Sequence, residues 1–273
     1  MLELSRTVRF CLSPDPADDK SPRDNTFASW PAMRGLGRYY ELHVVCHGEA
    51  EPRTGYFINI KHIDTAVRDH ALPPLRAAIA DEQAALDLPM GALMRDLFTA
   101  LAPALDGSVH RLALQLTPTL ALSIEKPAMD TILTKQQYEF SAAHRLHVPE
   151  HSDKENRQTF GKCNNPAGHG HNYRVEVVVR SAIDPRGRVL SPAALDAAVD
   201  QHVIEKLDHK HLNVDVPEFA DLNPSVEHIV RVVWDMLSPN IPIALPNAQL
   251  DEVSVWETGK TACTYRGPAA VTN

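Results

Sequence analysis

Cysteine is scarce in this chain. Cys11, Cys46, Cys163 and Cys263 are the only four in 273 residues and show no paired spacing. Reduced thiols and a cytoplasmic location are expected, with no disulfide framework. Long apolar runs are missing as well. No stretch approaches the 18 or so apolar residues of a membrane-spanning helix. The opening MLELSRTVRF lacks an apolar core, so no signal peptide is expected. Positive charge is not in excess: 27 Lys and Arg stand against 35 Asp and Glu, giving a net charge of -8. That argues against a general nucleic-acid binder or a protein drawn to anionic membranes. A small phosphorylated substrate stays open, because a local basic cluster can sit on an acidic chain. Histidine is absent from the first 42 residues, although the chain holds 14.

What is present is ordinary for a globular protein. With 44% apolar and 23% charged residues, the chain can build a core without disulfides, as one large domain or two of usual size. The 21 prolines are dispersed and mark turns.

Read in order, the chain offers a strand at 7–13, a polar loop from Pro14 to Asn25 and a strand from Tyr39 to Cys46. Ile60, Ile63, Val67 and Ala71 recur at helical spacing, and Pro73-Pro74 is expected to end or kink that helix. A second helix is expected over 89–102, then two short strands split near Pro118. From Gln136 the same order begins again. Tyr138 to Arg145 reads as a strand, His147 to Asn165 as a long polar loop and Tyr173 to Arg180 as a strand. Ser191-Pro192 opens a helix with Leu195, Val199, Val203 and Leu207 on one stripe. Asn223-Pro224 opens another, and 253–256 with 262–265 form a closing hairpin.

The two halves align directly. Thr26-Phe27, Gly35, Gly37, Tyr40 and Pro52-Arg53 stand 133 residues before Thr159-Phe160, Gly168, Gly170, Tyr173 and Pro185-Arg186. Asp64 and Asp196 agree at 132. A repeat of one structural unit is expected, with domains at 1–127 and 133–273. In that alignment Trp30, Leu36 and Arg38 stand where the second half has Cys163, His169 and His171. Leu116 stands opposite Glu257. The first domain is therefore expected to keep the fold and lack the site.

The chemistry concentrates in FGKCNNPAGHGHNY, residues 160–173. In an extended chain His169 and His171 point to the same side and can reach one metal ion. His144, in FSAAHRL, supplies a third imidazole. Three histidines with an open position is the pattern of catalytic zinc. Cys163 lies in a polar loop close in sequence to these histidines and reads as a catalytic base; a fourth metal ligand is the alternative. Asp208-His209 can tune a proton donor or acceptor, or can be a solvated helix end. Glu257 can accept hydrogen bonds from a flat amino-bearing heterocycle, or be an ordinary exposed glutamate. Arg145, Lys154, Arg157 and Lys162 can hold phosphate or be solvated loop charges.

The motifs FSAAHRL, FGKCNNPAGHGHNY, LDHKHLN, NPSVEH and WETGKTACTYRG together closely resemble the 6-pyruvoyltetrahydropterin synthase family. That family includes the bacterial 6-carboxytetrahydropterin synthases of the queuosine pathway. The resemblance covers about residues 135–267. It implies an α+β chain of two tandem tunnelling-fold (T-fold) domains, each an antiparallel four-stranded sheet with two helices on one face. It implies the substrate 7,8-dihydroneopterin triphosphate, a zinc cofactor held by His144, His169 and His171, and Cys163 as base. Asp208 and His209 would form the partner proton relay. Glu257 would anchor the pterin, with Glu227 and Ser225 close to its pocket. A homo-oligomer is implied, with three two-domain chains imitating a hexamer of single domains. The six-residue step from Cys163 to His169 points to the pyruvoyl product, whereas the ending TACTYRG points to the carboxy branch. A zinc-binding protein without catalysis is the third reading.

Overall fold

The computed structural model describes residues 1–12, 25–33, 35, 37–80, 85 and 87–268. All of the loop read over Pro14 to Asn25 except Asn25, and the aligned position Leu36, lie outside them. The chain divides into two compact units. One holds Met1–Thr134 with Ser181–Val189, and the other holds Lys135–Arg180 with Leu190–Asn273.

In the first unit β1 (Leu2–Leu12), β2 (Arg38–Gly48), β3 (Val109–Gln115) and β4 (Leu120–Glu125) lie in that order, each antiparallel to its neighbour. β1 begins five residues before the strand expected at Thr7. Its polar first half, LELSR, lacks an apolar signature but is held by continuous pairing with Val44–Gly48. The helical layer is α1 (Ile60–Ala66), a π turn (Val67–Ala71) and α2 (Leu72–Ile79), followed by α3 (Met90–Ala104). Of the two outcomes expected at Pro73-Pro74, an end or a kink, the helix does not end there: a π turn leads directly into α2, which contains both prolines. The prolines fall in the first turn of α2, directly after the wide turn, where the missing N–H groups are tolerated. Met94, Leu97, Phe98 and Leu101 of α3 close the core over Leu42, Val44, Leu112 and Leu114 of the sheet. Ile183 and Val189 pack against the same core, where Ala92 N donates to Gly187 O at 2.9 Å.

The second unit repeats this plan. β5 (Thr131–His144) and β6 (His169–Ala182) are neighbours, followed by β8 (Ala248–Thr258) and β9 (Thr261–Tyr265). β8 and β9 form the expected antiparallel hairpin. The residues between β5 and β6 are not a plain loop. They contain α4 (Asp153–Phe160), started by a capping box in which Ser152 and Glu155 satisfy each other's backbone N–H, and a 3₁₀ turn (Gly161–Asn164). Next come α5 (Pro192–Val199), a π turn (Asp200–Ile204), α6 (Glu205–Leu207) and the two-residue β7 (Lys210–His211), which pairs parallel to β5. Leu195, Val199, Val203 and Leu207 are all fully buried, as their spacing predicts. α7 (Val226–Leu237) starts two residues later than expected. Ser225 is its N-cap, and the carbonyl of Pro224 before it accepts from His144 Nδ1 at 2.7 Å.

The helix–strand tie is equivalent in the two units. Arg6 holds Asp64 through two hydrogen bonds of 2.8 and 2.7 Å, and Tyr138 donates to Asp196 at 2.9 Å. Asp64 sits on α1 and Asp196 on α5, and each is tied to the first strand of its unit.

Candidate metal centre

β5 ends on His144, whose side chain is wholly buried. His144 Nδ1 donates to Pro224 O at 2.7 Å. That bond fixes the tautomer and leaves a lone pair on Nε2. Nε2 lies 3.1 Å from Nε2 of His169, the first residue of β6. His171, two residues further along the strand, turns to the same side. The three rings stand 4.5, 5.2 and 4.8 Å apart between centroids. One nitrogen from each lies within 4.8 Å of the others, the only such group of three among the described residues.

These residues suit a cation. His169 Nδ1 and His171 Nε2 are buried without a hydrogen-bond partner, and His144 presents a lone pair rather than a proton. Burial pulls the His144 pKa down to about 4; the Pro224 carbonyl opposes this, and His169, His171 and His211 add to it. Burial and His171 lower His169 as well. His144 and His169 thus resist protonation, and the three rings offer nitrogen donors, as a divalent metal requires. Glu257, on β8, brings Oε1 to 3.4 Å from His144 Nε2 and 3.8 Å from His171 Nε2. Tyr173, fully buried, lies edge-on to His171 and His144 at 5.6 and 6.1 Å.

Cys163 sits in the 3₁₀ turn after α4, and its carbonyl accepts from Leu146 N at 2.8 Å. This ties the cysteine turn to the strand end that carries His144. Burial, and then the charge of Glu257, raise the thiol pKa.

Asp208 and His209 form a pair of their own. His209 Nδ1 donates to Asp208 Oδ2 at 2.7 Å, while Asp208 Oδ1 accepts from Ser141 N at 2.7 Å. Ser141 N and His209 lower the Asp208 pKa. His209 adopts φ 55 and returns its N–H to Ser141 O. It lines an open cleft of about 750 Å³ together with His171, Asn172, His211 and Ser141. Among the described residues no hydrogen bond joins this pair to Cys163. Ser225 caps α7, and its side chain is the main cause of the lowered Glu227 pKa. Burial, and then the charge of Glu227, raise the Cys263 thiol pKa, and among the described residues Glu227 makes no hydrogen bond to the imidazoles.

Two participants escaped the sequence reading. The Pro224 carbonyl fixes His144. His211, on β7, crowds the back of the cluster: a Cβ on Gly168, at φ 73, would stand 2.7 Å from His211 Nε2 and 3.0 Å from His144 O. Gly168 is therefore required by both its backbone angle and its surroundings.

Among its described residues the first unit has no such set. Trp30 is buried in its core beneath the Arg68 guanidinium, 5.0 Å from the ring centre. Arg38 donates to Ile79 O at 3.3 Å, and Leu116 packs against the core.

Comparison with known proteins places this geometry. A family model described as 6-pyruvoyl tetrahydropterin synthase matches residues 133–268. The 6-pyruvoyl tetrahydrobiopterin synthase of Poecilia reticulata is 45% identical over 129 residues, which are 47% of this chain and 85% of that protein. The chain belongs to the 6-pyruvoyl tetrahydropterin synthase family. The human 6-pyruvoyl tetrahydrobiopterin synthase is 43% identical over 129 residues, 47% of this chain and 86% of that protein. The family model falls on the part of the chain that carries the three histidines. Across the whole chain the fold resembles uricase from Arthrobacter globiformis, at 9% identity and a TM-score of 0.50, covering 100% of this chain and 96% of that one. That likeness shows the fold alone: two T-fold domains in tandem.

Proposed function

We propose that this chain is a zinc-dependent 6-pyruvoyltetrahydropterin synthase acting on 7,8-dihydroneopterin triphosphate with elimination of triphosphate. The observation that carries this reading is the convergence of three imidazole nitrogens within 4.8 Å beside a carboxylate, in a chain of this family. His144, His169 and His171 would hold the zinc, which when bound supplies Lewis acidity toward the substrate's side-chain oxygens.

The chain's own groups have distinct tasks. The Glu257 carboxylate accepts N–H hydrogen bonds from the pterin ring. The Cys163 Sγ takes a proton from the substrate side chain. Its thiol form is favoured by burial and by Glu257, and a cation nearby acts in the opposite sense. Asp208 holds the His209 Nδ1 proton at 2.7 Å, which leaves His209 Nε2 free to exchange a proton on the exposed face. Ser225 and Glu227 border the pterin side of the site. The names of the relatives favour the pyruvoyl product over the carboxy product.

The test is turnover by zinc-loaded protein, followed by triphosphate release and product mass. The expected product is 6-pyruvoyltetrahydropterin without acetaldehyde. Acetaldehyde would mark the carboxy route instead, and no release would favour binding without catalysis. Cys163→Ala should retain zinc and lose turnover by about 10²-fold or more, the scale of a general base. Unchanged turnover would remove Cys163 from that role.

A further inference from the structure

Beside the metal centre lies a second, basic cleft. Arg145, Arg157 and Lys162 line a space of about 490 Å³ with Asn164, Asn165 and Asp153. Three cations face one carboxylate. Among the described residues none of the three makes an ion pair, although Asp153 stands one helical turn before Arg157. Arg145 Nε is buried without a partner. Its Nη2 donates to His147 Nδ1 at 3.3 Å, and that same nitrogen accepts from Asn164 Nδ2 at 3.1 Å. Cations left unpaired in a shared hollow repel one another, and a polyanion relieves this repulsion. Guanidinium groups also match phosphate oxygens in geometry.

The cleft is tied covalently and by hydrogen bonds to the reacting groups. Arg145 follows His144, and Lys162 precedes Cys163. Leu146 N donates to Cys163 O at 2.8 Å, and Asn164 Nδ2 donates to Leu146 O at 2.8 Å. The strand end and the cysteine turn thus form one wall. A ligand anchored in this cleft is registered against Cys163 and His144 together. Lys154, which the sequence groups with these cations, does not line the cleft.

We infer that the Arg145–Arg157–Lys162 cleft is a polyphosphate subsite, which holds the triphosphate of the substrate while the ring and side chain occupy the metal centre. This rests on the proposed reaction for its biological ligand, but the anion site itself is tested separately. The probe is inorganic tripolyphosphate, titrated calorimetrically into zinc-loaded full-length protein. R157Q/K162Q is compared with wild type and with R53Q/K61Q, which removes two exposed cations from the other unit. Zinc chelation by the probe is common to all three proteins, so only the difference between them is read.

Binding should weaken at least tenfold in R157Q/K162Q and stay unchanged in R53Q/K61Q. Equal binding in all three, or no binding by wild type, overturns the subsite. With 7,8-dihydroneopterin triphosphate as substrate, R157Q/K162Q should raise KM about tenfold with little change in kcat. If tripolyphosphate binding depends on the pair but no substrate is turned over, the subsite stands and the proposed reaction falls. If turnover proceeds with the same KM, the reaction stands and the subsite falls.

Discussion

His144 meets two demands at once. It is fully buried and hydrogen-bonded to Pro224 O, and it faces two further imidazoles. Its pKa of about 4 lies below the ordinary 6.5 of an unfolded chain. The unfolded state therefore takes up a proton more readily than the folded one. The stability gained from the neutral form is complete above pH 6.5 and is lost as pH falls toward 4. Metal-free protein should lose about 2 kcal/mol of unfolding free energy between pH 6.5 and 5, from this group alone. Urea denaturation at the two pH values checks it, and His144→Gln should flatten the dependence. An equal slope in that variant would contradict the assignment. At this scale the site was partly legible. His169 and His171 announce themselves by spacing on a strand, but the Pro224 carbonyl and His211 reach the cluster only through tertiary approach, which spacing does not encode.

At the scale of elements, the buried stripes and hairpins were readable because core contact imposes periodicity. α4 was hidden for the opposite reason. Only Asn156 on it is buried, so no apolar stripe exists to read. Its signal was the S-x-x-E start at Ser152 and Glu155, a capping pattern independent of hydrophobicity. Ser152→Ala should cost about 1 kcal/mol, read as a lowered midpoint in chemical denaturation. No measurable change would mean that the cap does not hold the helix. The same helix and the turn after it carry Arg157, Lys162 and Cys163, so its start positions three side chains of the proposed site.

At the scale of the molecule, one fold appears twice, and among the described residues the candidate metal centre lies in the second copy alone. Trp30 and Arg38 are engaged in the structure of the first unit, through the Arg68 stack and the Ile79 carbonyl. The side chains there fill and tie rather than ligate. Native mass spectrometry of zinc-loaded protein should find one metal per chain, in assemblies that are multiples of three chains. Two metals per chain would show that the first unit has a site of its own, and a monomer at working concentration would refute the proposed assembly. The repeat was visible in matched glycines and turns, whereas the inclusion of Ser181–Val189 in the first unit was not, because it depends on Ile183 and Val189 finding that core.

The π turns have a consequence for how such helices are read. An α-helix advances about 100° per residue, so residues four apart drift by about 40° at each step and a stripe of fours winds off its partner. Ile63, Val67, Ala71 and Leu75 keep that step and stay buried, as do Leu195, Val199, Val203 and Leu207. The wide turns at Val67–Ala71 and Asp200–Ile204 take up the drift. An unbroken run of four-residue steps is thus the imprint of a widened turn, and this chain bears it twice. Removing one residue from either turn would swing everything beyond it about 100° around the helix axis, carrying Leu75 or Leu207 out of the core.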